Sequence, residues 1–563
     1  MSTLSFAVAS ITALSTPQAP ETALASLVPA EAFAVVRVAS LEEFDRALDQ
    51  LGQAVDEPMP FDAASLLSFV LGCPGPVERI DRKRPLCIAF ALPEAGIEPA
   101  LTFVLPVDDA SGYLGKLPRT ARKWSGERAA GYLALSELPS YAAPAVPSAL
   151  VTNLPLGALA ARVDIARLMQ SFGPMLEMGM QEFRRELERE TRADPLQREM
   201  AGGIADSAED FMDALQRVDI AFTLAGSRAD LGLDLVLDPH STLAQSTSGG
   251  SFDAGLIRRL PEGGCVRMVA DVDTQALAAT YVDLFADRIT DERITARMSA
   301  EERVQFEALR STIGSIDALV PLLGRSSAFA YDFGENGLSG CGFMSSPDPV
   351  ALVAGCNAWM DQISQALPKQ ASSQLVVSSS ERSVAGIAFR ESRLRFELAA
   401  PANGRKASRA DSEMQGLLDL IYGKEGLLLS TGIAGQNVIF GANASAADLE
   451  RACGLGSTGP DVGLDAGLDA QLARMNGADS GLWMQMDLGR VMQFATRMAV
   501  QALPGAQAPV ASESLRFRLT GWGGARGEHW FGGLSCDLDE LAAFVAGAKA
   551  MFEAPGLMSS AAR

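Results

Sequence analysis

Histidine is nearly missing from this sequence: only His240 and His529 occur. A zinc site needs several His or Cys ligands at short intervals, so no such cluster is expected. Two imidazoles also leave a thin inventory of general bases. Cysteine is sparse as well. The seven residues at 73, 87, 265, 341, 356, 453 and 536 include no CxxC pair. Most sit in apolar runs such as PLCIAF and GGCVRM, which read as free buried thiols. An odd count excludes complete pairing within the chain, although one or two bridges stay open to an exported protein. No run approaches the ~20 apolar residues of a membrane-spanning helix, so no transmembrane segment is expected. Basic residues are outnumbered, 47 against 69 acidic, for a net charge of −22. A field of that sign repels phosphate backbones and anionic membrane surfaces, and nucleic acid is not an expected partner. G-x-S-x-G is absent, and no Cys or Ser stands beside a histidine base. We therefore expect no catalytic constellation, no metal site and no cofactor.

What is present is enough chain for a large core. The 563 residues are 48% hydrophobic, which fits two to four domains of roughly 150 residues each. Residues 1–20 carry an apolar stretch from Leu4 to Leu14 followed by Ser, Thr, Pro and Ala. That is the length of a signal-peptide core without the usual basic lead. It sets the expectation of an exported, extracytoplasmic protein of the periplasm or cell envelope.

Four segments read alike: Leu27–Leu51, Asn153–Leu176, Arg258–Phe285 and Asn476–Val500. Each has a turn, a short apolar strand, a capping residue and an amphipathic helix. Each is followed later by a β-hairpin pattern, beginning at Pro85, Val218, Ser326 and Leu515, and then by another helix. Self-similarity at a long period outweighs any single propensity. Residues 384–440 read as two further hairpins inserted before the last copy. Two helical inserts, 183–218 and 285–320, alternate Glu and Arg at helical spacing, as solvated faces do. Pro195 and Gly202-Gly203 are expected to break the first insert. The expected fold is α+β, with repeated strand-helix-hairpin-helix units, antiparallel sheets and helices on one face. Two pseudo-symmetric halves would span 21–250 and 251–563.

The segment RRLPEGGCVRMVADVDTQAL sets Asp271 and Asp273 at a strand end, where catalytic acids often sit. Alignment of the four copies argues otherwise. Ser40, Asp164, Asp271 and Asp487 occupy matching places before a helix, and Ser and Asp are favoured N-caps because a side-chain oxygen accepts from the first free amides. Ser40-Leu-Glu-Glu43 is a capping box. An exchange of Ser for Asp keeps a cap and abolishes a catalytic charge. Asp273 reads as an acid favoured by the helix dipole. Asp332-Phe333-Gly334 spells a kinase magnesium triplet without the companion motifs, and Asp479-Ser480-Gly481 an aspartic-protease triplet without its second copy. Both read as turns. Gly521–Gly527 has strands on both sides, so it reads as a hairpin tip and not a phosphate cradle. Trp522, His529 and Trp530 cluster around it and are the candidate surface-binding residues. His240 reads as a turn residue.

The segment VPAEAFAVVRVASLEEF, with LPEGGCVRMVADVDTQAL as a weaker copy, resembles a group of uncharacterised bacterial extracytoplasmic proteins with recurring LPADALAVVRVxDLxxL-like units. The resemblance implies an envelope location and no activity. The expectation is a non-enzymatic extracytoplasmic binding or scaffold protein. Its partner would be a protein or an apolar small molecule. The alternatives are a carrier of lipid or another apolar ligand, and a divergent hydrolase working through carboxylates.

Overall fold

The computed structural model describes residues 19–70, 76–92, 98–117, 125–129, 131–138, 141–190, 195–246, 249–261, 263–275, 303, 318–334, 337–366, 373–398, 409–455, 466–502 and 515–553. The expected signal peptide and most of the second helical insert lie outside the described residues. The chain forms two compact units, Met1–Met178 with Leu215–Val236, and Gly179–Ala214 with Leu237–Arg563. Both are mixed α and β with antiparallel pairing throughout. Among the described residues no helix is long and apolar enough to cross a membrane.

The first unit contains β1 (Ala32–Val38), β2 (Leu86–Ala91), β3 (Ala100–Pro106), β4 (Ser125–Ala129), β5 (Tyr132–Ser136), β6 (Leu159–Asp164), β7 (Leu215–Ala225) and β8 (Arg228–Leu237). Strand pairing runs β4-β5-β3-β2-β1-β6-β7. At the centre β1 meets β6, with Val36 opposite Ala161. The unit's helices are α1 (Ala19–Ala25), α2 (Leu41–Val55), α3 (Ala63–Val70), α4 (Ala110–Leu114) and the start of α5 (Ile165–Glu190). Alternate residues of the central strands build two separate cores. Val35, Cys87, Ala89, Tyr132 and Ala134 join Leu24 of α1 in one cluster. Leu86, Phe103, Leu105, Leu133 and Leu135 join Leu41 of α2, Leu67 of α3 and Tyr113 of α4 in the other. Sheet alternation sends these two sets to opposite faces. The expectation of helices on one face is thus corrected: both sides of β3 and β5 are covered, and even their polar Thr102 and Ser136 are buried, bonded to each other at 2.7 Å.

One charged pair is sealed into this unit. Arg162 of β6 donates from Nε and Nη2 to both oxygens of Asp219 on β7, at 2.7 Å each. Its remaining donors reach the carbonyls of Ala149, Thr152 and Asn153. Both residues are buried, so the pair is tolerable only because every acceptor and donor is matched.

The second unit contains α6 (Pro195–Ala214), α7 (Thr242–Ser246), β9 (Val266–Asp271), β10 (Ser326–Gly334), β11 (Gly337–Ser345), α8 (Pro349–Ala366), β12 (Ser373–Val384), β13 (Ile387–Leu398), α9 (Arg409–Tyr422), β14 (Leu427–Ala434), β15 (Asn437–Ala442), α10 (Ala446–Ala452), α11 (Ala466–Met475), β16 (Ser480–Asp487), α12 (Leu488–Ala502), β17 (Arg518–Arg526), β18 (His529–Asp537) and α13 (Leu538–Glu553). Pairing runs β12-β13-β14-β15-β11-β10-β9-β16-β17-β18. The central contact is again between strands distant in sequence, with Val269 of β9 opposite Trp483 of β16. The hairpins expected at 384–440 are β12–β13, which begins earlier than expected at Ser373, and β14–β15. Gly202-Gly203 does not break a helix. Pro195 opens α6, where its missing N–H costs nothing, and α6 continues through both glycines. Salt bridges from Arg184 on α5 to Asp206 and Glu209 tie α6 to α5.

Removal of Asp219 would leave the Arg162 guanidinium buried and uncompensated. Asp219→Ala is expected to lower stability by about 3–5 kcal/mol, measured as a shift of the urea unfolding midpoint at constant slope.

Candidate functional site

Among the described residues, the second unit's sheet has one sealed face and one partly covered face, on which Phe333 stacks against Phe494 of α12. On the sealed side, Phe343, Ala328, Val269, Trp483 and Trp522 form one continuous row across five strands. Phe252, Leu256 and Leu449 pack over it. A polar chain is sealed there too. Trp483 Nε1 donates to Gln471 Oε1 at 3.3 Å, and Gln471 Nε2 bonds the hydroxyl of Ser535.

One residue along each strand, the pleat turns the row over. The register places Phe440, Gly342, Phe329, Met268, Met484, Gly521 and Leu534 side by side on the opposite face. Phe329, Met268, Met484 and Phe440 are half-buried. Leu482 is 45% exposed and Leu534 48%. Phe329 stacks beside Phe440 at 6.5 Å and beside Tyr331 at 6.3 Å. Both phenyl rings flank Gly342, where an added Cβ would fall 2.6 Å from Phe329 Cδ1. Towards the hairpin β17–β18, Gly521, Gly523 and Gly532 leave backbone as the floor between Met484 and Leu534. The result is a shallow apolar tract with thioether and leucine walls. The first unit has its own apolar positions of this kind, with Ile220, Leu231 and Leu233 exposed on β7 and β8.

The candidate surface aromatics are not a cluster. Trp522 is buried in the sealed face, with Arg474 above its ring at 5.4 Å. Trp530 pairs with Ala525 and so lies on the other face. His529 is exposed with its Nε2 3.6 Å from Glu528. The glycine run misleads here: Gly521, Gly523 and Gly524 belong to β17, and the hairpin turn begins only at Gly527 (φ 57°).

The strand-end acids are engaged in structure. Ser40 Oγ accepts from Glu43 N at 3.0 Å, Asp164 from Arg167 N at 3.0 Å and Asp487 from Arg490 N at 3.2 Å. The fourth cap, expected at Asp271, is corrected. Asp271 is buried at the end of β9 and holds Arg325 Nε at 3.3 Å and the Ser326 hydroxyl at 3.3 Å. Its neighbour Asp273 accepts from Gln275 N at 3.1 Å and lies 3.8 Å from Arg325 Nη1. Helical backbone begins at Thr274, and Asp273 is the acid beside its first amides. Asp332 receives the Cys265 thiol, the Phe333 amide and the Arg490 guanidinium, while Phe333 stacks on Phe494 of α12 at 4.2 Å. It docks a helix. Asp479 accepts from Gly527 N at 2.8 Å and fixes the β17–β18 turn. His240 is exposed at a turn closed by Asp238.

Cys87, Cys265, Cys341, Cys356 and Cys453 are free thiols. Burial pushes the Cys341 and Cys87 thiols up to about 12 and Cys265 to about 11. The open tract was not visible to sequence reasoning, since Met268, Met484 and Leu534 alternate in the same way as core positions.

No family model matches the chain, and no curated protein matches it. Among solved structures, one titled "Structure of crystal form III of TP0453" aligns over 53% of this chain and 98% of its own, at 9% identity and a TM-score of 0.21.

Two outcomes follow from these contacts. Because the folded thiols titrate above the free-thiol value of 9.0, the folded state holds protons that the unfolded chain releases above pH 9. Their stabilising contribution is complete below pH 9 and declines as pH rises through about 11 to 12. Urea titrations across this range read it, and a Cys341→Ala chain would show a smaller decline. At the helix start, Asp273→Ala is expected to cost about 1 kcal/mol as a lost cap. Asp271→Ala, which strips a buried partner from Arg325, is expected to cost more by the same measurement.

Proposed function

We propose that this is a non-enzymatic binding or scaffold protein whose contact surface is the open apolar face of the second unit's sheet. The observation that carries this reading is the row Phe329, Met268, Met484 and Leu534, apolar and only partly covered among the described residues, on a sheet whose other face is packed. An apolar tract that leaves large side chains such as Leu482 and Leu534 exposed is a candidate interaction surface. Methionine suits such a surface because its flexible thioether adapts to the partner. The acids that a hydrolase would need are committed elsewhere: Asp332 to Arg490, Asp479 to a turn, Asp271 to Arg325. That commitment weighs against the carboxylate-hydrolase alternative.

The second reading is a carrier of lipid or another apolar ligand, favoured by the glycine floor beside Leu482 and Leu534. Native mass spectrometry of the purified protein separates the two: a co-purifying lipid supports the carrier, and bare protein supports the scaffold. We also place the protein outside the cytoplasm, on the apolar stretch Leu4–Leu14 and the resemblance of Val28–Phe44 to envelope proteins. An intact Met1 on the mature native chain would remove that assignment.

The architecture reads as four diverged copies. The order β3-β2-β1-β6-β7 in one unit and β11-β10-β9-β16-β17 in the other support it. In each, two strands that lead into a helix pair centrally and hairpin strands flank them. Duplication of one pairing plan, with binding confined to a face, suits a scaffold.

A charge on the tract should abolish binding without unfolding the chain. Leu482→Asp and Leu534→Asp are expected to reduce the fluorescence of a bound apolar dye several-fold, with far-ultraviolet circular dichroism unchanged. Equal dye binding by both variants would refute the assignment of this face.

A further inference from the structure

The sheet of the second unit ends on β12, and that edge has the properties of a docking strand. β12 runs 12 residues, and its ladder with β13 is continuous from Ser373 opposite Leu398 to Val384 opposite Ile387, with no bulge. The turn Ala385–Gly386, with φ of 48° and 82°, carries the ladder to its tip. Among the described residues no strand lies on the outer side of β12. Natural sheets protect such edges with proline, bulges, short strands or charged side chains. β12, SQLVVSSSERSV, has no proline and no bulge, and its charges are confined to Glu381 and Arg382 near one end. The first unit makes the contrast, since its end strand β4 has only 5 residues. Along β12, Ser378, Ser379, Ser380, Glu381 and Ser383 are exposed. Small side chains there let a second backbone approach to hydrogen-bonding distance.

We propose that this edge pairs antiparallel with β12 of a second copy of the chain, about a twofold axis through Ser380, so that two sheets become one. The occupant follows from charge and register. A twofold pairing that keeps both faces continuous must set residues of equal parity opposite each other. An axis at Glu381 sets acid against acid, and one at Arg382 sets guanidinium against guanidinium. An axis at Ser379 leaves both charges facing Val376 and Val377. Only the axis at Ser380 gives each charge a hydroxyl: Glu381 faces Ser379, and Arg382 faces Ser378. Like charges never meet, and the ladder is lengthened by an unbroken run of backbone hydrogen bonds. The edge, and not the apolar face, is the interface, so the face of the proposed function stays free in the dimer.

Light scattering on the full chain tests this. The wild type is expected at twice the chain mass of 59.3 kDa. Ser380→Lys and Ser380→Glu each set like charges against each other across the axis. Each is expected to weaken the dimer about fivefold or more, while an equimolar mixture of the two regains it. Recovery in the mixture also shows that both variants fold. A wild type that stays monomeric at its highest soluble concentration overturns the proposal and leaves the edge to an extended strand of another protein. A dimer unaffected by either charge, or a mixture that does not recover, overturns it as well. Loss of dye binding in Leu482→Asp alongside an intact dimer keeps the two interfaces distinct.

Discussion

The pairing of β9 with β16 is the contact from which the second unit is built. These strands come from opposite ends of the unit's sequence, and their register sets Val269 against Trp483 and Met268 against Met484. Once that is fixed, β10 and β17 can only add on the outer sides, and every later strand inherits the same two faces. A slip of one residue would carry Trp483 to the open face and Leu482 into the core. The unit therefore needs a device that makes this register costly to miss. The buried chain from Trp483 to Gln471 and Ser535 is such a device. In the slipped register the indole N–H would lose its acceptor, and a buried Gln471 amide would go unmatched. In the first unit, β1 meets β6 in the same central position, and Arg162 with Asp219 holds the β6–β7 register by the same logic.

Much of this could be read from the residues. Hairpins showed as apolar runs around glycine turns, and three helix starts showed as Ser40, Asp164 and Asp487. These are local signals: the cap and the amide it meets are three residues apart, and the turn is its own sequence. Asp271 went astray for the complementary reason. Its partner is Arg325, 54 residues away, and no spacing rule links an acid to an arginine just before the next strand. The glycines of β17 misled in another manner. Gly521, Gly523 and Gly524 look like a loop, yet Trp522 among them is a core residue, and glycine beside a large ring is a packing arrangement in a sheet. The coverage of each face was the least legible feature. Alternation tells which residues share a side; it does not tell which side receives a helix. In the first unit both sides of β3 and β5 are sealed, and the alternation is lost: even Thr102 and Ser136 are buried, bonded to each other.

A thiol at the strand junction illustrates how the core and the helices are joined. Cys265 precedes β9, and its Sγ donates to Asp332, which also takes the Arg490 guanidinium from α12. Arg497, about two helical turns further, donates to the carbonyls of Phe333 and Gly334. The end of β10 is thus capped by a helix from a later part of the chain. A triplet that looks like a catalytic signature serves as a docking point, because an exposed strand end has carbonyls and an acid that need partners.

An apolar sheet face that is not sealed has to be kept from collapsing onto itself or sticking at random. Two features of this face do that. Its glycines at 342, 521, 523 and 532 remove side-chain area where the neighbouring rings and thioethers lie, so the tract is narrow and not a broad sheet of leucine. Its large residues also lean on one another: Phe329 packs against Tyr331 and Phe440 and thereby hides part of each ring from water. What remains open, chiefly Leu482 and Leu534, is a small fraction of the face. Hydrophobic burial scales with area, so a partner gains modestly from each side chain and gains most where Met484 can move aside to admit it. The same arithmetic favours a ligand that spans several strands over one that touches a single residue. It also explains why the sealed face carries the stability of the unit while the open face can remain exposed.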